Sequence, residues 1–341
     1  MQNPLFSEPG FSEPGDRSSG RRSKVGPAPR DPDLVALAAR LPPNLRLGTS
    51  SWTYPGWAGL VWDREYPEPA LSRHGLAAYA QHPLLRTVSV DRGFYRPLDS
   101  AQFAAYAAQV PQDFRFVVKA PSLVTDAMVR DESGRGLQPN PNFLDPASAI
   151  GAFVEPALHG LAGKLGALVF QISPLPAAWR ARMPELIERL HALLRALPDL
   201  RAVAPDGTVA VEVRDPHWLT PRFTEALRDG GATYCMGLHA KMPRIAEQLP
   251  ILRALWPGPL VCRWNLNPLH GAYGYEEARR QYEPFDRLQD PDPQTRAVLT
   301  RVIAGTVGAG QNAYVTLSNK AEGSAPLSVR ALAQAIDALR R

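Results

Sequence analysis

Eight short apolar runs recur along the chain from residue 45 onward, and a longer segment with a different pattern follows each one. The runs are LRLGTSS (45–51), RTVSVD (86–91), FRFVVK (114–119), GALVFQI (166–172), TVAVEVR (208–214), ATYCMGL (232–238), PLVCRWN (259–265) and AYVTLSN (313–319). Their length and their β-branched and aromatic content predict buried β-strands. The segments after them have apolar residues at three- and four-residue spacing and predict helices at 72–81, 99–110, 146–162, 180–197, 219–229, 243–255, 293–309 and 327–340.

This alternation predicts an α/β fold with a parallel sheet, because every connection is long enough to cross over to a parallel neighbour. Eight strand-helix units are the number that closes a (β/α)8 TIM barrel. We therefore expect one TIM-barrel domain over residues 34–341, in preference to a doubly wound sheet. The length of 341 residues is compatible with one large barrel.

Residues 1–33 have a different composition. They contain the tandem pentapeptide FSEPG-FSEPG (6–15) and a stretch rich in Ser, Gly, Arg and Pro. Such a segment cannot bury enough apolar surface to offset its ordering entropy, so it predicts a disordered tail. The basic part, RSSGRRSK (17–24), is an alternative contact for nucleic acid or an acidic partner, but a solvated tail is the better interpretation.

Charge and cysteine content restrict the partners. The formal net charge is +5, and the first thirty residues hold five Lys/Arg against three Asp/Glu, which leaves +3 on the rest of the chain. This mild excess argues against a nucleic-acid partner.

No apolar run approaches the roughly 20 residues of a membrane span. Two cysteines, Cys235 and Cys262, with no signal sequence, are typical of a reducing, cytoplasmic setting.

Side chains alternate along a strand, so each predicted strand divides into a helix-facing and a barrel-facing set. In the fifth strand, Val209, Val211 and Val213 suit the helix layer, which leaves Glu212 and Arg214 facing inward. The same division in four other strands also places a polar residue inward near the C-terminal end. The resulting polar ring consists of Asp91, Lys119, Gln171, Glu212, Arg214 and Arg263, with Ser50, His239 and Asn319 as possible additions.

The polar ring holds three cations and two carboxylates, which predicts a pocket for an anionic or polyhydroxylated ligand. Strand-to-helix loops lie at the C-terminal mouth of a barrel, where enzymes of this fold keep their sites. Two of these loops, 120–145 and 266–292, are long enough to be lids or binding loops. The alternative is a structural ion-pair layer that fills the barrel, and Lys119 alone could instead reach solvent.

Two strand-to-helix loops add candidates. SNKAEGSAPLS (318–328) follows the eighth strand, where Lys320 and Ser324 could bind a phosphate near a helix N-terminus, or form an ordinary turn. The first loop, SSWTYPGW, holds Tyr54 between two tryptophans; we favour packing over stacking on a ligand. His217, in DPHW, is interpreted as a loop hydrogen-bonding residue rather than a general base.

No nucleotide-cofactor or metal motif occurs: HExxH, CxxC, GxSxG and GxGxxG are all missing from the sequence. A metal site would have to combine scattered groups such as Asp91, Glu212 and His239, which is not the favoured interpretation. The cofactor therefore stays unknown.

The ordered set of motifs resembles the YecE-like family of TIM-barrel proteins, also called domain of unknown function 72. The matching pieces are GTSSWTYPGW, DRGFYRPL, DFRFVVKAP, KLGALVFQISP, VAVEVRDPHW and NKAEGSAPLS, in order over about residues 45–340. The resemblance implies the barrel and a mouth-facing motif set that includes Lys119, Gln171, Glu212, Arg214, Arg263 and Asn319, but it brings no reaction. One departure is Ser89, where the family usually has glutamate; Asp91 is the nearest substitute.

The leading functional hypothesis is an enzyme that acts on a small anionic or sugar-like metabolite by hydrolase-, lyase- or isomerase-type acid-base chemistry. Glu212 would be the general acid or base, and further catalytic candidates are Asp91, Lys119 and His239. The substrate-binding candidates are Gln171, Arg214, Arg263, Asn319, Lys320, Ser324, Tyr54 and Tyr95. Alternatives are a metabolite-binding barrel without chemistry and a nucleic-acid-processing barrel tethered by its basic tail. A Glu212 sealed against Arg214 without an open pocket would contradict the leading hypothesis.

Overall fold

The chain folds into a closed barrel of eight parallel strands. A computed structural model describes residues 25–131, 134–271 and 273–341. Each strand pairs in parallel with its two neighbours, and the last pairs with the first. The barrel strands are β1 (Leu45–Thr49), β2 (Thr87–Val90), β3 (Arg115–Lys119), β4 (Leu165–Gln171), β5 (Thr208–Glu212), β6 (Thr233–Leu238), β7 (Leu260–Trp264) and β8 (Ala313–Leu317). All eight predicted strands are present, which confirms the (β/α)8 barrel.

The helices of the described residues lie before, between and after the strands, and each predicted helical segment overlaps at least one of them. Side-chain caps start several of them, for example Asp99, whose carboxylate accepts from the backbone N–H of Gln102 at the start of the helix Ser100–Ala107. In the described ranges the helices are α1 (Pro32–Arg40), α2 (Glu68–His74), α3 (Leu76–Tyr79), α4 (Ser100–Ala107), α5 (Ser122–Thr125), α6 (Pro146–Ala149), α7 (Glu155–Leu161), α8 (Ala177–Arg180), α9 (Met183–Ala196), α10 (Pro221–Asp229), α11 (Ile245–Ala254), α12 (Tyr275–Tyr282), α13 (Pro293–Gly308), α14 (Asn319–Glu322) and α15 (Ala325–Arg340). A π-helical turn, Ile150–Val154, joins α6 to α7. None of these helices is long and apolar enough to cross a membrane.

The strands separate two hydrophobic cores. Val209, Val211 and Val213 of the β5 segment belong to the outer core, which lies between the strands and the helices. The inner core fills the middle of the barrel and consists of Val117, Ala167, Val169, Ala210, Cys235, Val261 and Tyr314. The predicted alternation is therefore confirmed. The two buried, free cysteines lie on opposite sides of the sheet, Cys235 in the inner core and Cys262 in the outer core.

A group of polar side chains closes the N-terminal end of the barrel, and we call Arg46, Arg115, Asp206 and Tyr314 the base network. Asp206 Oδ2 accepts from Arg115 Nε at 3.0 Å and from Arg115 Nη2 at 2.7 Å, and it lies 4.0 Å from Arg46 Nη2. Tyr314 donates its hydroxyl to the backbone oxygen of Asp206 at 2.9 Å. These bonds tie the starts of β1, β3 and β8 to the loop before β5.

Residues 25–33, which the sequence assigned to the tail, contact the barrel. Val25 is buried, Ala28 N donates to Val61 O at 2.8 Å, and Asp31 caps α1. The packed body therefore begins before the boundary predicted at residue 34. The FSEPG repeat and the basic RSSGRRSK segment lie outside the described residues.

Both long loops contain regular structure. The loop 120–145 holds α5 and a two-stranded antiparallel hairpin, Met128–Arg130 with Gly136–Pro139. The loop 266–292 holds a short 3-10 turn, Pro268–His270, and then α12. Both follow barrel strands and thus lie on the C-terminal side, as the sequence predicts.

Candidate functional site at the barrel mouth

Glu212 lies at the centre of the polar ring and is fully buried. Its Oε1 lies 2.7 Å from Arg214 Nη2 and accepts from Asn265 Nδ2 at 3.3 Å, while its Oε2 accepts from Arg263 Nη1 at 2.7 Å. Space for this carboxylate comes from Gly237 in β6, where a Cβ would come within 2.9 Å of Glu212 Oε1. Both carboxylate oxygens are therefore occupied by protein donors.

The electrostatics of Glu212 follow from these contacts. Burial raises the pKa of its carboxyl, but the attraction of Arg214 and Arg263 outweighs burial and holds that pKa below its usual value. The side chain is thus ionised, sealed and saturated with donors. Glu212 is sealed against Arg214, the condition that the sequence analysis set against a proton-transfer role for this residue. The geometry instead suits the positioning of two arginines and matches the ion-pair layer that the sequence left as an alternative.

Arg263 connects three members of the polar ring. Its Nη2 donates to Asp91 Oδ2, and its Nη1 lies 3.4 Å from Gln171 Oε1 in addition to its bond with Glu212. Burial lowers the pKa of this guanidinium, but the carboxylates of Asp91 and Glu212 raise it by more than burial lowers it. The pKa of Arg263 therefore lies above its ordinary value. Ser89 donates its hydroxyl to Asp91 Oδ1 at 2.5 Å. The serine that departs from the family pattern therefore supports the carboxylate beside it.

Arg214 and Arg263 each keep one nitrogen without a hydrogen-bond partner among the described residues, and in Arg263 this atom is Nε. Arg214 Nη2 also donates to Gln171 Oε1, at 3.1 Å, but its Nη1 is buried and has no hydrogen-bond partner among the described residues. The side chain is 9% exposed, so part of it reaches the surface of the mouth. An unused, charged donor of this kind is costly to bury unless something else pairs with it.

Lys119 ends β3 on the inward face and is half-buried. Its Nζ lies 3.6 Å from the centre of the Phe94 ring, and within the described ranges it makes no hydrogen bond or ion pair. Burial lowers the pKa of this amine to about 7; Arg263 and Arg214 lower it too, against the opposing effect of Asp91 and Glu212. Near neutral pH the residue is therefore a mixture of ammonium and free amine.

His239 follows β6 and stacks on the ring of Tyr275, with 5.3 Å between ring centroids. Its Nδ1 accepts from the backbone N–H of Lys241 at 3.1 Å, an assignment that places the ring proton on Nε2. Burial, aided by the charge of Arg214, lowers the pKa of His239 to about 3. The imidazole is therefore neutral near pH 7, and its Nε2–H suits hydrogen-bond donation to a ligand better than proton transfer.

The candidates after β8 are more structural than the sequence predicts. Asn319 Oδ1 accepts from Trp57 Nε1 at 3.2 Å and from Ala325 N at 2.8 Å, and so joins the first loop to the start of α15. Ser324 is completely buried before α15. Lys320 is also buried, its Nζ lies 5.9 Å from the Tyr275 ring, and burial lowers its pKa to about 8. Of this group, Lys320 shares a neighbour, Tyr275, with His239.

The aromatic candidates differ in exposure. Tyr54 packs between Trp57 and Phe285, at 4.9 and 5.3 Å between centroids, in agreement with the packing interpretation. Tyr95 is 53% exposed, and its ring lies 5.1 Å from Phe94, the ring that contacts Lys119. His217 is exposed and hydrogen-bonds Asp215 through Nδ1 at 2.5 Å, as expected of a loop residue.

Sequence reasoning missed several residues of this site. Phe94 lies in the DRGFYRPL motif, but nothing in the pattern indicates that its ring contacts Lys119. Tyr275 belongs to the long loop after β7, and Gly237 is an inward glycine whose role depends on Glu212. In the described residues, no group of three or more His, Cys, Asp or Glu is placed to hold a metal ion.

A surface groove lies away from the barrel mouth. It has a volume of about 480 Å³ and runs between α1 and α15, where Arg40 and Asp337 pair across it. No member of the polar ring lines it. We place the candidate site at the mouth, because the unpaired charged groups converge there and the groove is a junction of two surface helices.

Comparison with known proteins assigns the family but no activity. The family model described as "Protein of unknown function DUF72" matches residues 46–341. No curated protein matches the chain. Two similar solved structures are those of DUF72 family proteins from Enterococcus faecalis V583 (18% identity, 86% of this chain and 95% of that chain, TM-score 0.58) and Thermotoga maritima MSB8 (17%, 87% and 99%, TM-score 0.51). At these identities the structures support the fold alone, and the family match shows that the chain belongs to the DUF72 family.

Proposed function

We propose that the barrel mouth binds a small anionic or sugar-like metabolite and acts on it by acid-base chemistry. The observation that carries the proposal is an imbalance in the polar ring. Its two carboxylates, Asp91 and Glu212, are already paired with arginines. The Lys119 amine has no polar partner among the described residues, and Arg214 Nη1 and Arg263 Nε have none either. An anion would supply the missing charge.

The binding roles follow from the free donors. Lys119 and Arg214 contact the anionic group, and Arg214 Nη1, which has no hydrogen-bond partner among the described residues, is the donor available for it. Gln171 offers its Nε2 and His239 its Nε2–H for further polar atoms of the ligand. In this proposal Glu212 holds both arginines in place and Asp91 holds Arg263, and their ion pairs support these roles.

The proton-transfer role passes from Glu212 to Lys119. A general acid or base works best when its pKa lies near the operating pH, and the pKa of Lys119 is lowered to about 7. A bound anion would raise that pKa again, because it stabilises the ammonium form. Ligand binding would therefore be accompanied by proton uptake at pH 7 to 8.

A second candidate function is a binding barrel without chemistry. It is favoured by the sealed carboxylate of Glu212, since the residue best suited by type to acid-base work is saturated with donors. The same pocket and the same anion would be involved, but no candidate would be turned over. The third possibility, a nucleic-acid-processing barrel, depends on the basic tail outside the described residues and remains a prediction, tested by salt-sensitive binding before and after deletion of residues 1–33.

Calorimetric titration of the full chain tests the proposal, with inorganic phosphate and pyruvate as probes. Lys119→Met and Arg214→Met should each weaken binding about tenfold or more, because each removes a charge-assisted contact. Arg115→Met, in the base network, is the matched control and should leave affinity unchanged. Equal affinity in all four proteins, or equal loss in the control, would remove the mouth as the binding site.

Turnover separates the two candidate functions. Phosphorylated sugars and 2-oxo acids are incubated with the protein and followed by proton NMR. Conversion that disappears in Lys119→Met supports the enzyme. Tight binding of a compound that remains unchanged supports the binding barrel.

A further inference from the structure

We infer that the amine of Lys119 is a nucleophile that forms a Schiff base with a carbonyl compound bearing a carboxylate or phosphate group. This inference rests on the proposed function and names the substrate class and the reacting atom. The amine faces into the mouth from the end of β3, lies against an apolar ring, and has neighbouring cations to hold the anionic part of such a compound.

The contrast with the other described lysines supports this assignment. The sequence has five lysines, of which Lys24 lies outside the described residues. Lys164 donates to the backbone oxygens of Ala107 and Val110, both at 2.7 Å, and is therefore a structural residue. Lys241 lies 4.0 Å over the exposed ring of Tyr273.

Lys119 and Lys320 are the remaining pair. Lys320 is almost completely buried after β8, whereas Lys119 is half-buried and open to the mouth. Lys119 thus combines access for a small molecule with an environment that disfavours its charge.

The environment of the amine suits nucleophilic attack, which requires the neutral form. A lysine held by a carboxylate keeps its proton, but both nearby carboxylates are bonded to arginines. The Phe94 ring next to Nζ attracts an ammonium more weakly than a directly bonded carboxylate would. The pKa of about 7 is consistent with this geometry. Desolvation combined with nearby positive charge is a general way to activate a lysine for such chemistry.

The reaction balances without an oxidant or a further reactant. The lone pair of the Lys119 nitrogen adds to the carbonyl carbon, and a C–N bond forms as the C=O π electrons move to oxygen. Two protons pass, in net terms, from the nitrogen to that oxygen, which leaves as water. The product is an imine that, once protonated, withdraws electrons from the adjacent carbon, as lyase and isomerase chemistry requires.

The test is reductive trapping on the full-length chain. The protein is incubated at pH 7.5 with pyruvate, whose anionic group is a carboxylate, or with dihydroxyacetone phosphate, whose anionic group is a phosphate. It is then treated with sodium borohydride. Intact-mass and peptide analysis should show one reduced adduct, located on Lys119. An adduct located mainly on Lys241 or Lys320 would overturn the assignment, and so would equal labelling of all lysines.

Matched variants make the assignment specific. Lys119→Met should lose the adduct, whereas Lys241→Met and Lys320→Met should retain it. Because the adduct is mapped on the unmodified chain first, the test does not depend on the folding of any variant. The yield should rise as the pH passes about 7, while an ordinary lysine reacts in this way only as the pH approaches its usual pKa of about 10.

The outcome also separates this inference from the proposed function. If phosphate and pyruvate bind in the titration but neither carbonyl probe gives an adduct on Lys119, the Schiff base is wrong and anion binding stands. If neither probe binds and no adduct forms, both are wrong.

Discussion

The two ends of the barrel carry similar charged residues but satisfy them differently. In the base network, Arg115 donates to Asp206 and also to the backbone oxygens of Gln112 and Phe114, at 2.8 and 3.0 Å. Arg46 likewise donates to a backbone oxygen, that of Pro43. At the mouth, Arg214 and Arg263 donate only to side chains in the described part of the chain.

The difference has a structural reason. Helix-to-strand loops at the base bring their own carbonyl groups to the arginines, so the chain closes that end by itself. The polar ring is held by side chains, and it leaves the Lys119 amine, Arg214 Nη1 and Arg263 Nε without a hydrogen-bond partner among the described residues. In the base network, Arg46 Nε is the corresponding guanidinium atom without a partner. An end closed by backbone indicates a stabilising role, whereas unused donors at the C-terminal end, where barrel enzymes keep their sites, indicate a ligand.

The largest expected difference between the two ends concerns their central carboxylates. Glu212→Gln should lower the free energy of unfolding by about 3–5 kcal/mol, because it leaves two buried guanidinium groups without their counter-charge. Asp206→Asn should cost only about 1 kcal/mol, since that side chain is one-third exposed and its partners keep backbone acceptors. Urea denaturation at pH 7 measures both, and equal losses would show that the two ends are energetically alike.

A second difference should appear in acid. The pKa of His239 at the mouth is lowered to about 3, and that of His82, in the loop before β2, to about 4, both chiefly by burial. The unfolded chain binds these protons from about pH 6.5 downward, so each residue makes stability fall as the pH drops from 6.5 toward its folded pKa. His239→Asn should reduce the loss between pH 7 and pH 4 by about 2–3 kcal/mol, and His82→Asn by less. Thermal unfolding across this pH range is the measurement; a flatter profile for His82→Asn would reverse the order.

Replacing a cationic side chain should change the free energy of unfolding in opposite directions at the two ends of the barrel. Lys119→Met should raise the free energy of unfolding by about 1–2 kcal/mol at pH 7. The reason is that folding of the wild-type chain must partly bury an amine that is protonated in the unfolded chain, and methionine removes this cost. Between pH 7 and 10.5 the unfolded chain binds more protons at Lys119, so this gain should shrink as the pH rises. Arg115→Met should instead destabilise by about 1–2 kcal/mol through its lost hydrogen bonds. Destabilisation by Lys119→Met would mean that the lysine stabilises the fold.

The smallest effects concern two hydroxyl groups. Ser89→Ala removes the donor to Asp91, and Tyr314→Phe removes the donor to the Asp206 backbone, each at a cost of about 1 kcal/mol. Only Ser89→Ala should weaken the binding of phosphate in a calorimetric titration, since Asp91 belongs to the polar ring. A matching loss in Tyr314→Phe would argue that both ends influence the ligand.

Much of this architecture could be predicted from the sequence because the signals are local. The alternation of Val209, Val211 and Val213 with inward residues fixes which face of β5 meets the helices, and the structure confirms it. The same two-residue period predicted that one end of the barrel holds Asp91, Lys119, Gln171, Glu212 and Arg263. The boundary at residue 34 depended on composition instead, and composition does not reveal that Val25 packs into the core.

The sequence by itself determined the number of strands, the faces they present and the chemical types gathered at the mouth, because the two-residue and 3.6-residue periods are properties of neighbouring residues. Only the tertiary structure decided which of those groups pair. Closure of the barrel brings Arg263 between Asp91 and Glu212, seals Glu212, and leaves Lys119 against Phe94. Such pairings depend on distances across the barrel, between residues far apart in the chain, and no local period records them.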